Sequence, residues 1–231
     1  MTTPILRIGH RGAQGYAPEN TLKSIRKAIE LGVDMIEVDV HSCRTSEILV
    51  IHDEKLERTT NGSGYVRQKT LAYIKSLDAG EGEQVPTLTE VLDLIDKRVA
   101  LNIELKGKYT LKPVLKIIDH YVHAKGWAYE HFIVSTFMRK KLKRLAKLHP
   151  KVRIGALLAY HPFGFIKFAK RIKAFSVHLN AKLADPKIIR EAQKNGLKVY
   201  VWTVNEKEDI ERLKKIGVDG IFSDFPDRIR E

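Results

Sequence analysis

Two short runs of this sequence place carboxylates where a buried strand would be apolar. In Met35-Ile36-Glu37-Val38-Asp39-Val40, Glu37 and Asp39 share one face and Ile36, Val38 and Val40 the other, because strand side chains alternate. Leu101-Asn102-Ile103-Glu104-Leu105-Lys106 repeats the pattern with Asn102, Glu104 and Lys106. If both apolar sets pack against helices, both polar sets point into one interior, and Glu37, Asp39 and Glu104 converge. Three confined carboxylates repel one another unless they are protonated or neutralised by a cation. A hard divalent ion fits such a set, with waters or substrate oxygens filling its other positions. The competing reading is a salt-bridge network with Lys106 and Arg11.

Groups suited to proton transfer flank these runs. Gly9-His10-Arg11-Gly12 ends another apolar run, and its glycines let backbone approach a ligand closely. His10 suits proton transfer near neutral pH, and Arg11 suits bidentate contact with phosphate. His52-Asp53 closes a further run. Two histidines beside a divalent ion supply an acid and a base for in-line phosphoryl chemistry. Asn20 reads either as the N-cap of the helix after it or as a polar contact to substrate. Trp202 reads as an apolar wall for a substrate body or as core packing. Asp224 reads equally well as a cap of the short last helix. Of the nine histidines, His120, His123, His131, His149 and His161 have no neighbours that single them out. His41 continues the face of Glu37 and Asp39 beyond the rim, and His178 ends a strand.

The scaffold for these groups follows from eight β-rich runs, most followed by helical periodicity: Ile5–Gly9, Met35–Val40, Ala100–Leu105, His131–Ser135, Val152–Leu157, Ala174–His178, Lys198–Trp202 and Val218–Phe222. Leu22, Ile25, Ala28 and Ile29 form one stripe that Gly32 stops. Thr87 and Glu90 form a capping box. Asp185-Pro186 opens a helix ended by Gly196, and Asn205 with Glu208 opens one ended by Gly217. Regular strand–helix alternation implies a parallel sheet, and eight units can close into a (β/α)8 TIM barrel; an open sheet is the alternative. A length of 231 residues suits one such barrel, residues 1–231. Catalytic groups in that fold come from strand C-terminal ends, where the polar exceptions lie. Ile48–His52 is too close to Met35–Val40 to return parallel, so a hairpin is expected after the second strand. A turn near Thr45-Ser46 would set Asp39 opposite His52, with 53–86 a small insertion over the mouth.

Composition narrows the class. No apolar run reaches the roughly 20 residues of a membrane span, and the start of the chain shows no secretory signal pattern. The single cysteine, Cys43, excludes an internal disulfide, and a cytoplasmic location is the default expectation. The net charge is +13. Its basic residues read as spread along the chain among Asp and Glu, without an RNA-binding motif, so no nucleic-acid partner is expected. The densest cluster, Arg139, Lys140, Lys141, Lys143, Arg144 and Lys147, reads as the solvated face of one helix. Phe163–Ile172 is basic and aromatic and begins on the mouth side. It fits a barrel helix with one apolar face, or peripheral contact with an anionic membrane without stable insertion.

Five segments, GHRGAQGYAPENTLKSI from Gly9, GVDMIEVDV from Gly32, LVIHDEKLERTTNGSG from Leu49, LNIELK from Leu101 and VYVWTVN from Val199, resemble the glycerophosphodiester phosphodiesterase family in that family's order. The resemblance implies the (β/α)8 barrel and one Mg2+- or Ca2+-type ion held by Glu37, Asp39 and Glu104. It also implies acid–base roles for His10 and His52, phosphate contacts from Arg11 and Lys106, and a wall at Trp202. The implied products are sn-glycerol 3-phosphate and an alcohol. The stretch Cys43-Arg44-Thr45-Ser46 departs from the family's usual hairpin turn. A short insertion leaves open a lysophospholipase D-like or phospholipase C-like relative on the same barrel.

Overall fold

The computed structural model describes residues 5–160 and 164–230; His161 and Phe163 lie outside them. The strands are β1 (Leu6–Gly9), β2 (Met35–Ser42), β3 (Ile48–Val50), β4 (Ala100–Leu105), β5 (Phe132–Thr136), β6 (Arg153–Leu158), β7 (Ser176–Asn180), β8 (Lys198–Trp202) and β9 (Gly220–Ser223). The helices are α1 (Leu22–Glu30), α2 (Leu71–Lys75), α3 (Leu88–Ile95), α4 (Leu111–Ala124), α5 (Arg139–Leu148), α6 (Phe165–Arg171), α7 (Pro186–Lys194) and α8 (Lys207–Ile216). All strands but β3 pair in parallel, and β1 pairs with both β2 and β9, closing an eight-stranded barrel. An open sheet is excluded. Several strands begin one or two residues later than the apolar runs that mark them, because the runs include residues that pack before the ladder starts.

The two strand faces divide the core as the alternation requires. Ile36, Val38, Val40, Leu101, Ile103 and Leu105 pack outward against the helices. Ile8, Met35, Ile133, Tyr200 and Phe222 fill the barrel's interior beneath the polar rim. Two glycines make room for them: a Cβ on Gly155 would lie 2.6 Å from the His178 ring, and one on Gly220 2.8 Å from that of Tyr200.

Most helix signals hold. Thr87 and Glu90 form the capping box of α3, Asp185 caps α7 with Pro186 at its first position, and Gly217 ends α8 at φ 83°. Two do not. The N-cap of α1 is Thr21, closed by Ser24, rather than Asn20. Helix α8 starts after Glu206, because Asn205 is engaged with Ser223 and Asp224. The hairpin register also differs by one residue. Arg44, Thr45 and Ser46 form a three-residue turn with Ser46 at φ 79°, a standard solution for such a loop. Val40 then faces Val50, and Asp39 lies beside Ile51, whose N–H it accepts at 2.9 Å, not opposite His52.

Segment 53–86 has its own small core of Leu56, Val66, Ile74, Leu77, Ala79 and Val85, shared with Cys43, Leu49 and Ile51. In α6, Phe165, Ile166, Phe168 and Ala169 are buried while Lys167 and Lys170 are exposed, so this helix packs its apolar face on the barrel.

Candidate active site

The register of β2 and β4 sets Asp39 beside Glu104 and Glu37 beside Asn102. Glu37, Asp39 and Glu104 each bring a carboxylate oxygen within 4.8 Å of the other two, and all three are buried. Arg11 sits at φ 51°, and its backbone N–H donates to Glu37 Oε2 at 3.0 Å. Asn20, also at positive φ, donates from Nδ2 to Asp39 Oδ2 at 3.1 Å and accepts the Asp39 N–H at 3.3 Å. Its side chain thus orients Asp39 from behind, and Asn20 is not among the residues that line the cavity described below.

Two cations meet this cluster: Lys106 Nζ lies 2.9 Å from Glu104 Oε1 and 3.7 Å from Asp39 Oδ1, and Arg11 Nε lies 3.3 Å from Asp39 Oδ2. They do not balance it, since Arg11 also pairs with Glu19 at 2.7 Å. Burial, then the charges of Asp39 and Glu104, drives Glu37 well above the usual carboxylate range. Burial and Asp39 push Glu104 up to about 7 despite Lys106. Protons retained on buried carboxylates mark a place short of positive charge. An all-oxygen set of this kind suits a hard dication of the Mg2+ or Ca2+ type.

Both candidate histidines line the same cavity, of about 100 Å³, with Arg11, the three carboxylates, Lys106, Phe137 and Trp202. Each is held through Nδ1 by an aspartate: His10 by Asp224 Oδ1 at 2.7 Å and His52 by Asp53 Oδ1 at 2.5 Å. A carboxylate acceptor there fixes the Nδ1–H tautomer and frees Nε2. The aspartates are anchored in turn. Asn205 donates to Asp224 Oδ2 at 2.7 Å. Burial would raise Asp224, but hydrogen bonds from His10 and Gln14 hold it at about 2. Arg58 donates from Nε to Asp53 Oδ2 at 2.7 Å and from Nη1 to Glu19 Oε2 at 2.7 Å. This ion-pair chain fastens the insertion to the loop after β1. Burial lowers His52, favouring the neutral ring. His41, noted from the sequence as lying beyond the rim, is buried and bonds through Nε2 to the His52 carbonyl at 3.0 Å.

Trp202 donates from Nε1 to the His178 carbonyl at 3.1 Å and meets Phe137 edge-on at 5.6 Å, so the two rings form one wall of the cavity. Phe137, Glu19 and Arg58 join the site without a local sequence signal, and Asp224, which the sequence left open as a helix cap, holds His10 instead. Asp224 carried a signal, its place after the last barrel strand; the others meet the site through contacts far apart in sequence.

His178 is fully buried, and burial pushes its ring down to about 3. An unfolded imidazole takes its proton near 6.5, so between these values the unfolded chain binds more protons and acid destabilises the fold. From this group alone the loss by pH 5 is about 2 kcal/mol. Denaturant unfolding at pH 7 and 5 should show a shallower acid loss in His178→Phe than in the parent; an equal loss in both contradicts the assignment.

Known proteins resemble this chain over nearly its whole length. A glycerophosphodiester phosphodiesterase of Caldanaerobacter subterraneus subsp. tengcongensis is 40% identical over 97% of this chain and 96% of its own. One from Bacillus subtilis is 34% identical over 96% and 84%. An Oleispira antarctica phosphodiesterase, solved with the product sn-glycerol-3-phosphate, superposes with a TM-score of 0.88 at 28% identity, covering 99% of this chain and 96% of that one. The sequence pattern of the glycerophosphoryl diester phosphodiesterase family matches residues 10–228, and the chain belongs to that family.

Proposed function

We propose that this enzyme hydrolyses glycerophosphodiesters to sn-glycerol 3-phosphate and an alcohol, with one divalent cation held by Glu37, Asp39 and Glu104. The observation that carries the reading is the meeting, in one cavity, of three buried carboxylates with two histidines that each have an aspartate on Nδ1. The cation would supply charge neutralisation at the phosphoryl oxygens. Arg11 and Lys106 reach the same cavity from opposite sides of Asp39 and present donors to the phosphate. One imidazole takes the proton from the attacking oxygen as its bond to phosphorus forms. The other gives a proton to the alcohol oxygen as its bond to phosphorus breaks. Trp202 and Phe137 flank the substrate body.

Most of the large aliphatic side chains of segment 53–86, Leu56, Val66, Ile74, Leu77 and Val85, are turned into their own core, so the insertion offers little lining for an acyl chain, whose burial is worth roughly 0.8 kcal/mol per CH2. A deacylated substrate is therefore expected to be preferred. The test compares kcat/KM for glycerophosphocholine with that for lysophosphatidylcholine. A tenfold or greater preference for the lysolipid, about 1.4 kcal/mol in the transition state, would replace this reading with a lysophospholipase D-like one.

A further inference from the structure

The positive charge of this protein is concentrated, not spread along the chain as expected. From Lys106 to Lys173 there are 17 Lys and Arg residues against two acids, Asp119 and Glu130, while all other residues together hold 24 basic and 26 acidic groups. The whole net charge therefore arises from the end of β4 through α6. The strands β4, β5 and β6 are consecutive staves of the barrel, so the charge occupies one sector of the molecule. Fourteen of the 17 basic residues are exposed, and none of the fourteen forms a salt bridge among the described residues. Charge kept only for solubility has no reason to avoid acids in one sector and balance them everywhere else.

The same three units carry exposed apolar side chains at the mouth end. Tyr109 is 76% exposed on the loop after β4, and Tyr160 is 80% exposed on the loop after β6. Between them, Phe137 and Met138 are exposed on the loop after β5. Thus four of the seven exposed large apolar residues of the described chain stand on three adjacent loops. Tyrosine at a polar–apolar boundary and lysine or arginine behind it are the pair of features that seat a protein on an anionic lipid surface.

We propose that the β4–α6 sector docks this enzyme onto an anionic phospholipid bilayer, with Tyr109, Met138 and Tyr160 entering the headgroup layer beside the barrel mouth. A nucleic acid is the less fitting partner. Its bases need aromatic rings set along a basic groove, whereas these side chains project from separate loop tips at one end of helices α4, α5 and α6. On a bilayer, the mouth would open toward the surface from which phospholipid deacylation releases glycerophosphodiesters.

The test is co-sedimentation of the full chain with vesicles of phosphatidylcholine alone or mixed with phosphatidylglycerol. Binding is expected only to the mixed vesicles and should fade as salt is raised. At the mouth ends of α4 and α5, Lys108, Lys112 and Lys140 are exposed. Each basic residue near such a surface is worth about fivefold in partitioning, so K108Q/K112Q/K140Q should lose on the order of 10²-fold. Y109S/Y160S should lose several-fold while keeping all the basic charge. Both variants should keep the parent's melting temperature and its turnover of a water-soluble glycerophosphodiester. Absence of binding at low salt, or equal binding to both vesicle types, would overturn the proposal. So would binding of an oligonucleotide duplex as tight as that of the mixed vesicles and unchanged in Y109S/Y160S.

Discussion

His10→Ala and His52→Ala should each lower kcat by about 10²–10⁴-fold, the usual contribution of a positioned acid or base. The fold should survive both, since both rings are partly exposed to the cavity and neither belongs to the apolar core. Their aspartates extend the argument. In Asp224→Asn, the carboxylate that fixes the Nδ1–H tautomer of His10 is replaced by an amide that can also donate, and kcat should fall while KM changes little. Because the Asp224 side chain hydrogen-bonds only to His10, Gln14 and Asn205 among the described residues, a purely structural role would lower the melting temperature without shifting the pH profile of kcat. A change in that profile at unchanged melting temperature marks a positioning role. A His10 or His52 variant with a near-normal rate would remove that histidine from the mechanism.

Glu104→Gln should act in opposite directions on the metal-free and metal-loaded protein. Burial and the charge of Asp39 push Glu104 up to about 7, so its charged form is disfavoured there, a neutral amide suits the site, and the metal-free variant should melt no lower than the parent. The variant also loses a charged ligand. Removing an outer-shell partner already costs about 10–100-fold in metal affinity, and loss of a ligand should cost at least as much. Melting temperatures measured across a titration of Mg2+ and of Ca2+ read this directly, because a ligand bound only to the folded state stabilises it in proportion to the logarithm of its occupancy ratio. Equal metal-induced shifts in variant and parent would place the ion elsewhere.

The sequence made the acidic cluster legible because buried barrel strands should be apolar on both faces. Glu37, Asp39 and Glu104 break that rule at a spacing of two, and strand alternation alone sends all three inward. The strand–helix rhythm was legible and favoured a barrel over an open sheet; the pairing of β1 with both β2 and β9 decides it. The hairpin register was not legible. It depends on Ser46 taking a left-handed backbone in a three-residue turn, and one residue more or less in a turn reverses which side chains face the partner strand. Asn20 was ambiguous for a related reason: the Thr21–Ser24 capping box was available one residue on, which released Asn20 to bind Asp39. The clasp from Asp53 through Arg58 to Glu19 joins positions 39 residues apart, and no local pattern announces such a pair. The concentration of charge between Lys106 and Lys173 was open to counting, but its meaning rests on β4, β5 and β6 being neighbours in the barrel.

The most direct test of the account is the release of sn-glycerol 3-phosphate from a panel of glycerophosphodiesters, measured in excess chelator and again after adding back Mg2+ or Ca2+. Turnover of the panel, its loss in chelator, and its return with one of the two ions are expected. Full activity in excess chelator, or no glycerol 3-phosphate from any member of the panel with either ion present, would contradict the account.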